Sequence, residues 1–241
     1  MPNEKGEDLA KLPAHSHAKD FGRLEESFYA AHPDGIIIGL DEAARGTLAG
    51  SMYGAAVALD KAGFERIRNI VYDSKLTRTP ALRKNMSEAI QSNSVAMHIA
   101  RITVDEINSG ENLDYLNQKV LQEALDITLA GMPSRRNAPK LVICDSTRLP
   151  PIYCGKSIDV YVKGERSHAS IAAASLLAKS AFDTEVAELH KRYPRYNFIA
   201  HSGYGTASHM GKIRTLGYLP IHRVIFKPFK GMFPAKAYFD K

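Results

Sequence analysis

Residues 36–50 read IIIGLDEAARGTLAG, and the class of fold turns on them. Ile36, Ile37, Ile38, Gly39 and Leu40 make a short β-branched apolar run after the turn-forming His32 to Gly35, and they read as a buried strand. The run stops at Asp41 and Glu42. A loop of small residues from Ala43 to Gly50 then leads into residues 52–59, apolar enough for a second strand paired with the first.

On the N-terminal side, Phe21, Leu24, Phe28 and Tyr29 approximate helical spacing over residues 21–31. Residues 1–20 are polar, contain Pro2 and Pro13, show no clear period and are expected to be a mobile leader. On the C-terminal side, residues 80–91 read as a helix, 95–104 as a strand, and 113–130 as an amphipathic helix carrying Leu113, Leu116, Val120, Leu121, Ala124 and Leu125. Leu141 to Cys144 is another buried strand, ending at Asp145, and residues 159–162 are a shorter candidate. Ser167 is placed to N-cap a long helix reaching about Arg192, with Pro194 beyond its end. Ala172, Ala173, Ala174 and Ser175 carry so little bulk that one face of that helix can lie close against a sheet. The alternation predicts an α/β fold with helices packed on a central mixed sheet.

With 241 residues, 44% apolar and 24% charged, the chain can bury a core without disulfides. Cys144 and Cys154 are too few for a disulfide framework and lack histidine partners at zinc spacing, which points to core thiols in a reducing compartment. No initial basic patch precedes an apolar stretch, and the most apolar long segment, residues 171–182, is interrupted by Lys179, so the reading is a cytoplasmic protein without a membrane span. The formal net charge is +6, unevenly spread: eight Lys or Arg and no acid lie between Lys191 and Lys230, leaving 24 basic against 26 acidic residues elsewhere. Tyr193, Tyr196, Phe198, Tyr204, Tyr218, Phe226 and Phe229 are interleaved with these cations. Such a region either neutralises phosphates and stacks on sugars or bases, or is a solvated basic face over core aromatics; charge alone weighs the two evenly.

Two apolar strands end on acids, Leu40 into Asp41 and Glu42, and Cys144 into Asp145, so these side chains can converge at one sheet edge. Asp183 follows Leu176 by seven residues, on nearly the same helix face, which would turn it toward the sheet. Converging carboxylates repel one another unless divalent cations lie between them, and hard oxygen ligands select Mg²⁺ or Mn²⁺ over zinc. A pair of such ions suits in-line attack on a phosphodiester. Taken singly, an acid at a strand end more often caps a turn and a helical Asp more often faces solvent; the joint pattern is what points to phosphoryl chemistry on nucleic acid.

Gly39 to Gly50, GLDEAARGTLAG, resembles the signature loop of type 2 ribonucleases H in their bacterial-like form. The likeness continues through Asp73, Ser74 and Lys75, Asp145 with Arg148, Leu149 and Pro150, residues 162–179 (VKGERSHASIAAASLLAK), Gly203 to Thr206 (GYGT) and Pro220 to Arg223 (PIHR), all in family order. The resemblance implies an RNase H-like mixed five-stranded sheet flanked by helices, with a C-terminal helical segment, over residues 21–226, and a basic aromatic tail at 227–241. It implies a two-metal endonuclease, using Mg²⁺ or Mn²⁺, that cuts the RNA strand of RNA/DNA hybrids. The same enzyme would nick 5′ of ribonucleotides embedded in duplex DNA, leaving 3′-OH and 5′-phosphate ends. By resemblance, Asp41, Glu42, Asp145 and Asp183 bind the metals, with Asp41 bridging both. Ala44, Arg45 and Gly46 sense the ribose 2′-OH, Tyr204 packs on the neighbouring sugar, Lys75 lies near the substrate backbone, and Arg45 and Lys163 contact phosphate.

The chain departs from the pattern at Ala44, where glycine is usual, at Thr47 and Ser51, where prolines are usual, and at Ser146 and Thr147 after Asp145. The Ala44 methyl matters only if that residue takes positive φ or lies within contact of substrate. A type 3 enzyme would carry glutamate as the fourth acid and a folded N-terminal domain, whereas Asp183 and about 35 residues before the first strand fit type 2. A catalytically impaired hybrid-binding module would not need all four acids, and an integrase or transposase of the same fold would have no use for GYGT. Phe229, Phe233, Tyr238 and Phe239 make an aromatic tail without the leading glutamine of a sliding-clamp motif, so clamp contact is not expected and the chain reads as a monomer.

Overall fold

The computed structural model describes residues 20–71, 79–135, 137–145, 159–161 and 164–235. Within them the chain order is α1 (Arg23–Ala31), β1 (Ile36–Ala43), β2 (Met52–Leu59), α2 (Lys61–Ile67), α3 (Pro80–Asn93), β3 (Ala96–Ile102), α4 (Val104–Asn108), α5 (Leu113–Ala130), β4 (Lys140–Asp145), β5 (Asp159–Tyr161), α6 (Ala169–Arg192) and α7 (Ala207–Leu216). The strands form one five-stranded sheet in the order β3-β2-β1-β4-β5. β2 is antiparallel to β1 and β3, while β4 is parallel to β1 and to the three-residue β5. This is the mixed sheet that the sequence predicts.

The triple isoleucine serves two cores at once, because successive strand side chains alternate between faces. Ile37 belongs with α6 and the C-terminal segment on one face, and Ile36, Ile38 and Leu40 with α5 on the other. β1 does not stop at the acids. β2 continues to pair with it at Asp41 with Ala55, Glu42 with Gly54 and Ala43 with Tyr53, so both acids stand inside a ladder. Gly39 is required by packing: a Cβ there would lie 2.2 Å from the backbone of Ser170 at the start of α6. Ala172, Ala173 and Ala174 are fully buried, as their small side chains predict.

The N-terminus of α6 differs from expectation. Its N-cap residue is His168, not Ser167, and no side chain of the helix's own entry caps it. The buried carboxylate of Glu25, on α1, instead accepts from the Ser170 N–H at 3.2 Å and its hydroxyl at 3.1 Å, a negative charge placed where the unsatisfied N–H groups favour one. β3 likewise ends at Ile102 because Thr103 and Glu106 form a capping box that starts α4.

The basic aromatic region resolves into two layers. Tyr193, Tyr196, Phe198 and Phe229 are core residues, and Arg223 is itself 0% exposed, so none of these five lies on a phosphate-facing surface. The other seven cations are exposed, as is Tyr204. No helix among the described residues is long and apolar enough to cross a membrane.

Candidate active site

The parallel register places Leu40 beside Cys144; one residue further, Asp41 and Asp145 leave neighbouring strands side by side. By the two-residue period both point to the face covered by α6, where the Ser175 side chain hydrogen-bonds Asp41. Asp41 is 7% exposed, and its Oδ1 accepts from the Glu42 N–H at 2.8 Å. Burial pushes its carboxyl well above the ordinary carboxylate range; Glu42 and Asp145 push further, against the hydrogen bonds from Ser175 and the Glu42 N–H. Asp145 is raised to about 7, first by burial and then by a side-chain hydrogen bond with Glu165, while the Gly164 N–H opposes the shift. Glu165 lies in a single helical turn (Gly164–Arg166) beyond β5 and is 2% exposed. The same acids act on the buried Cys144, a core thiol as predicted, whose pKa rises mainly through burial.

Asp41, Glu42, Asp145 and Glu165 therefore form one electrostatic unit in which, among the described residues, the charges that raise Asp41 and Asp145 are other carboxylates. Among the described residues no three acidic, histidine or cysteine side chains are already drawn to ligand distance of one point.

Asp183 is not brought into this unit. It faces α3, where Arg83 Nε pairs with its Oδ2, and Lys179, one turn earlier on α6, approaches its Oδ1 at 2.8 Å. Ser175 is the α6 residue that touches Asp41, and eight residues further is about 12 Å along the helix axis. The helical period correctly turned Asp183 inward, but inward at that level is α3 and not the sheet edge. Glu165, four residues beyond the end of β5, is an acid of this cluster that the sequence reading did not name, because no strand runs directly into it.

The 44–46 loop stands against the C-terminal segment. Ala44 has φ 66°, the left-handed region where glycine is at ease, so the departure from glycine falls at a position that demands it. Thr47 Oγ donates to the Ala44 carbonyl at 3.1 Å, and Ser51 donates from both N–H and hydroxyl to Glu185, each at 2.8 Å. At both positions a polar side chain bonds where proline is usual. Arg45 is ion-paired with Asp114 of α5, and around Gly46 a Cβ would meet nothing within 4 Å. The Leu48 N–H donates to the Gly203 carbonyl at 2.8 Å, which joins this loop to the next, where Tyr204 is 43% exposed. Lys75, Lys163, Cys154, the Asp73 and Arg148 motifs, nearly all of the leader and the end of the tail lie outside the described residues.

Residues 38–229 match the family model for Ribonuclease HII. The chain belongs to the ribonuclease HII family. Ribonuclease HII of Paracidovorax citrulli is 38% identical over 210 residues, covering 87% of this chain and 82% of that protein. That of Laribacter hongkongensis is 38% identical over 197 residues, 82% of this chain and 93% of its own. The ribonuclease H2 of Pyrococcus horikoshii superposes with a TM-score of 0.68 at 23% identity, over 81% of this chain and 95% of that one. Bst-RNase HIII, crystallised in complex with Mn²⁺, superposes with a TM-score of 0.66 at 20% identity, over 82% and 68% respectively. At such identities the two structures show the fold alone. As a ribonuclease HII, the protein is a metal-dependent hydrolase, a nuclease of the ribonuclease H type.

Proposed function

We propose that this ribonuclease HII cuts the RNA strand of RNA/DNA hybrids and nicks duplex DNA 5′ of an embedded ribonucleotide, at a two-ion site formed by Asp41, Glu42, Asp145 and Glu165. The observation that carries the reading is the buried like-charge cluster. Carboxylates out of water and beside one another are unstable as anions, and hard divalent cations are the partners that their oxygens suit. Mg²⁺ or Mn²⁺ bound there supplies an activated water and a stabilised leaving oxygen. A catalytically impaired binding module would have no need of four acids at one sheet edge.

Asp41, on which both Glu42 and Asp145 act, is the acid that would be shared by the two ions. Glu165 takes the fourth place that the sequence reading gave to Asp183, which the two cations leave as a structural acid. With glutamate in that place the fourth acid no longer separates type 2 from type 3 enzymes, and the separation rests on the family match. Residues 44–46 offer backbone groups to the 2′-OH, and the half-exposed ring of Tyr204 offers a face to the adjoining sugar. Lys75, Lys163 and the seven exposed C-terminal cations hold the phosphates.

The test is digestion of a DNA duplex containing one ribonucleotide, with Mg²⁺ or Mn²⁺ and with product ends mapped. The expected products carry 3′-OH and 5′-phosphate ends at the 5′ side of the ribonucleotide, and Glu165→Gln abolishes them where Asp183→Asn does not. Cleavage indifferent to the 2′-OH would overturn the substrate reading, and full activity of Glu165→Gln would overturn the ligand set.

A further inference from the structure

Both loops assigned to the substrate rest on one turn, Leu219 to Arg223, in which Leu219, His222 and Arg223 are buried. The Leu219 N–H donates to His222 Nδ1 at 2.8 Å, and His222 Nε2 hydrogen-bonds His209 Nε2 at 3.2 Å. His209 then carries its own proton on Nδ1 and donates it to the Tyr204 carbonyl at 3.0 Å. His222 Nδ1 also lies 3.2 Å from the Leu219 carbonyl, so the ring is tied to that residue whichever nitrogen carries its proton. Burial keeps both rings neutral, holding His209 down to about 4 and His222 to about 3. His201 stacks on His209 at 4.1 Å and accepts the Gly203 N–H at 3.2 Å, so the residues on either side of the GYGT turn's start are tied to one imidazole stack.

The next residue reaches the other loop. Arg223 donates from Nη1 to the Arg45 carbonyl and from Nε to the Gly50 carbonyl, each at 2.9 Å, and its backbone N–H donates to the Leu48 carbonyl at 2.8 Å. Its Nη2 makes no hydrogen bond among the described residues. A wholly buried guanidinium with an unmatched donor costs more than an apolar side chain in the same space, so fold stability alone does not account for it.

We propose that His209, His222 and Arg223 are positioning residues that lock the 2′-OH-reading loop and the Tyr204 loop into one register, so that sugar identity and ring contact are read by a single rigid unit. The inference rests on the substrate reading above and names the residues through which that reading is set. His209→Phe keeps the ring packing and deletes the donor to Tyr204, whereas His209→Asn places an amide nitrogen where Nδ1 stood. On a single-ribonucleotide duplex, His209→Phe is expected to lower kcat by about tenfold, with less than about threefold loss on an all-RNA hybrid. His209→Asn should recover most of that loss, and Arg223→Lys should shift the same ratio from the other loop. In a Tyr204→Ala background, His209→Phe should add nothing, because its effect passes through the ring. A selective wild type whose variants lose both substrates alike, in step with melting temperature, would overturn the inference and leave the substrate reading standing. Losses that multiply in the double variant would overturn it too. A wild type that ignores the 2′-OH would overturn both.

Discussion

Asp145 and Asp183 are both acids set into apolar elements, and the molecule treats them in opposite ways. Around Asp145 the neighbouring charges are Glu165 and Glu42, and its carboxyl is driven up to about 7. Around Asp183 they are Arg83 and Lys179, so its charge is matched within the fold. Like charges crowded at one point suit a partner from outside the chain, whereas opposite charges at one point are matched within the fold. Sequence patterning alone cannot separate them, since both are inward-facing aspartates.

The largest expected effect is at the unmatched end. Asp41→Asn should lower cleavage by about a thousandfold or more while the melting temperature in metal-free buffer holds or rises, because one of the repelling charges is gone. Turnover near wild type in Mg²⁺ would break the comparison. At the matched end, Asp183→Asn takes a carboxylate away from both Arg83 and Lys179 and should cost about 3 kcal/mol in urea unfolding, with activity per folded molecule within a few fold of wild type. Abolished cleavage at an unchanged unfolding midpoint would move Asp183 into the active site.

A pH profile sharpens the contrast. A carboxyl raised from its ordinary value to about 7 binds its proton more tightly when folded, so its contribution to stability is complete at about pH 4 and lost as pH rises through 7. His209 and His222, lowered to about 4 and about 3, act in the other sense: their contribution is present above pH 6.5 and lost as pH falls toward those values. Unfolding measured in chelator across pH 4 to 8 should therefore show opposed slopes that partly cancel below pH 6.5. Asp145→Asn should leave a steeper rise with pH, and Mg²⁺ should remove the decline toward neutrality. A wild-type profile unaffected by Mg²⁺ would count against a cation site at these acids.

The smallest effect expected is at Ala44. Relieving φ 66° by Ala44→Gly should raise stability by about 1 kcal/mol, a shift of about 2–4 °C in melting temperature for a chain of this size. A fall in stability would mean that the methyl's burial outweighs its strain.

The parts of the fold legible in the sequence were those with a period or an apolar run: the five strands and α1, α3, α5 and α6. α2 and α4, of seven and five residues, carry too few turns to show a period, and their capping residues are the better signal. The aromatic residues after Lys191 could not be sorted in advance, because interleaving does not say which side faces the core; four are buried and Tyr204 is not. Three acids of the site followed from strand ends. The inward turn of Asp183 was legible too, but its pairing with Arg83, 100 residues away, was not, since no local pattern announces it.

The parallel partner of β1 also sets a timetable. Leu40 waits for Cys144, and Arg45 for Arg223, 178 residues away. At ribosomal rates of roughly 5–20 residues per second, β1 emerges roughly 5–20 s ahead of β4, with β2 closing one edge and the other left bare. Asp41 and Glu42 thus spend synthesis apart from the acids that would arm them, and the loops that would guide a nucleic acid to them are fixed last. In order of synthesis, the acid cluster is complete only once Glu165 is made, and the register of the two loops only once Arg223 follows.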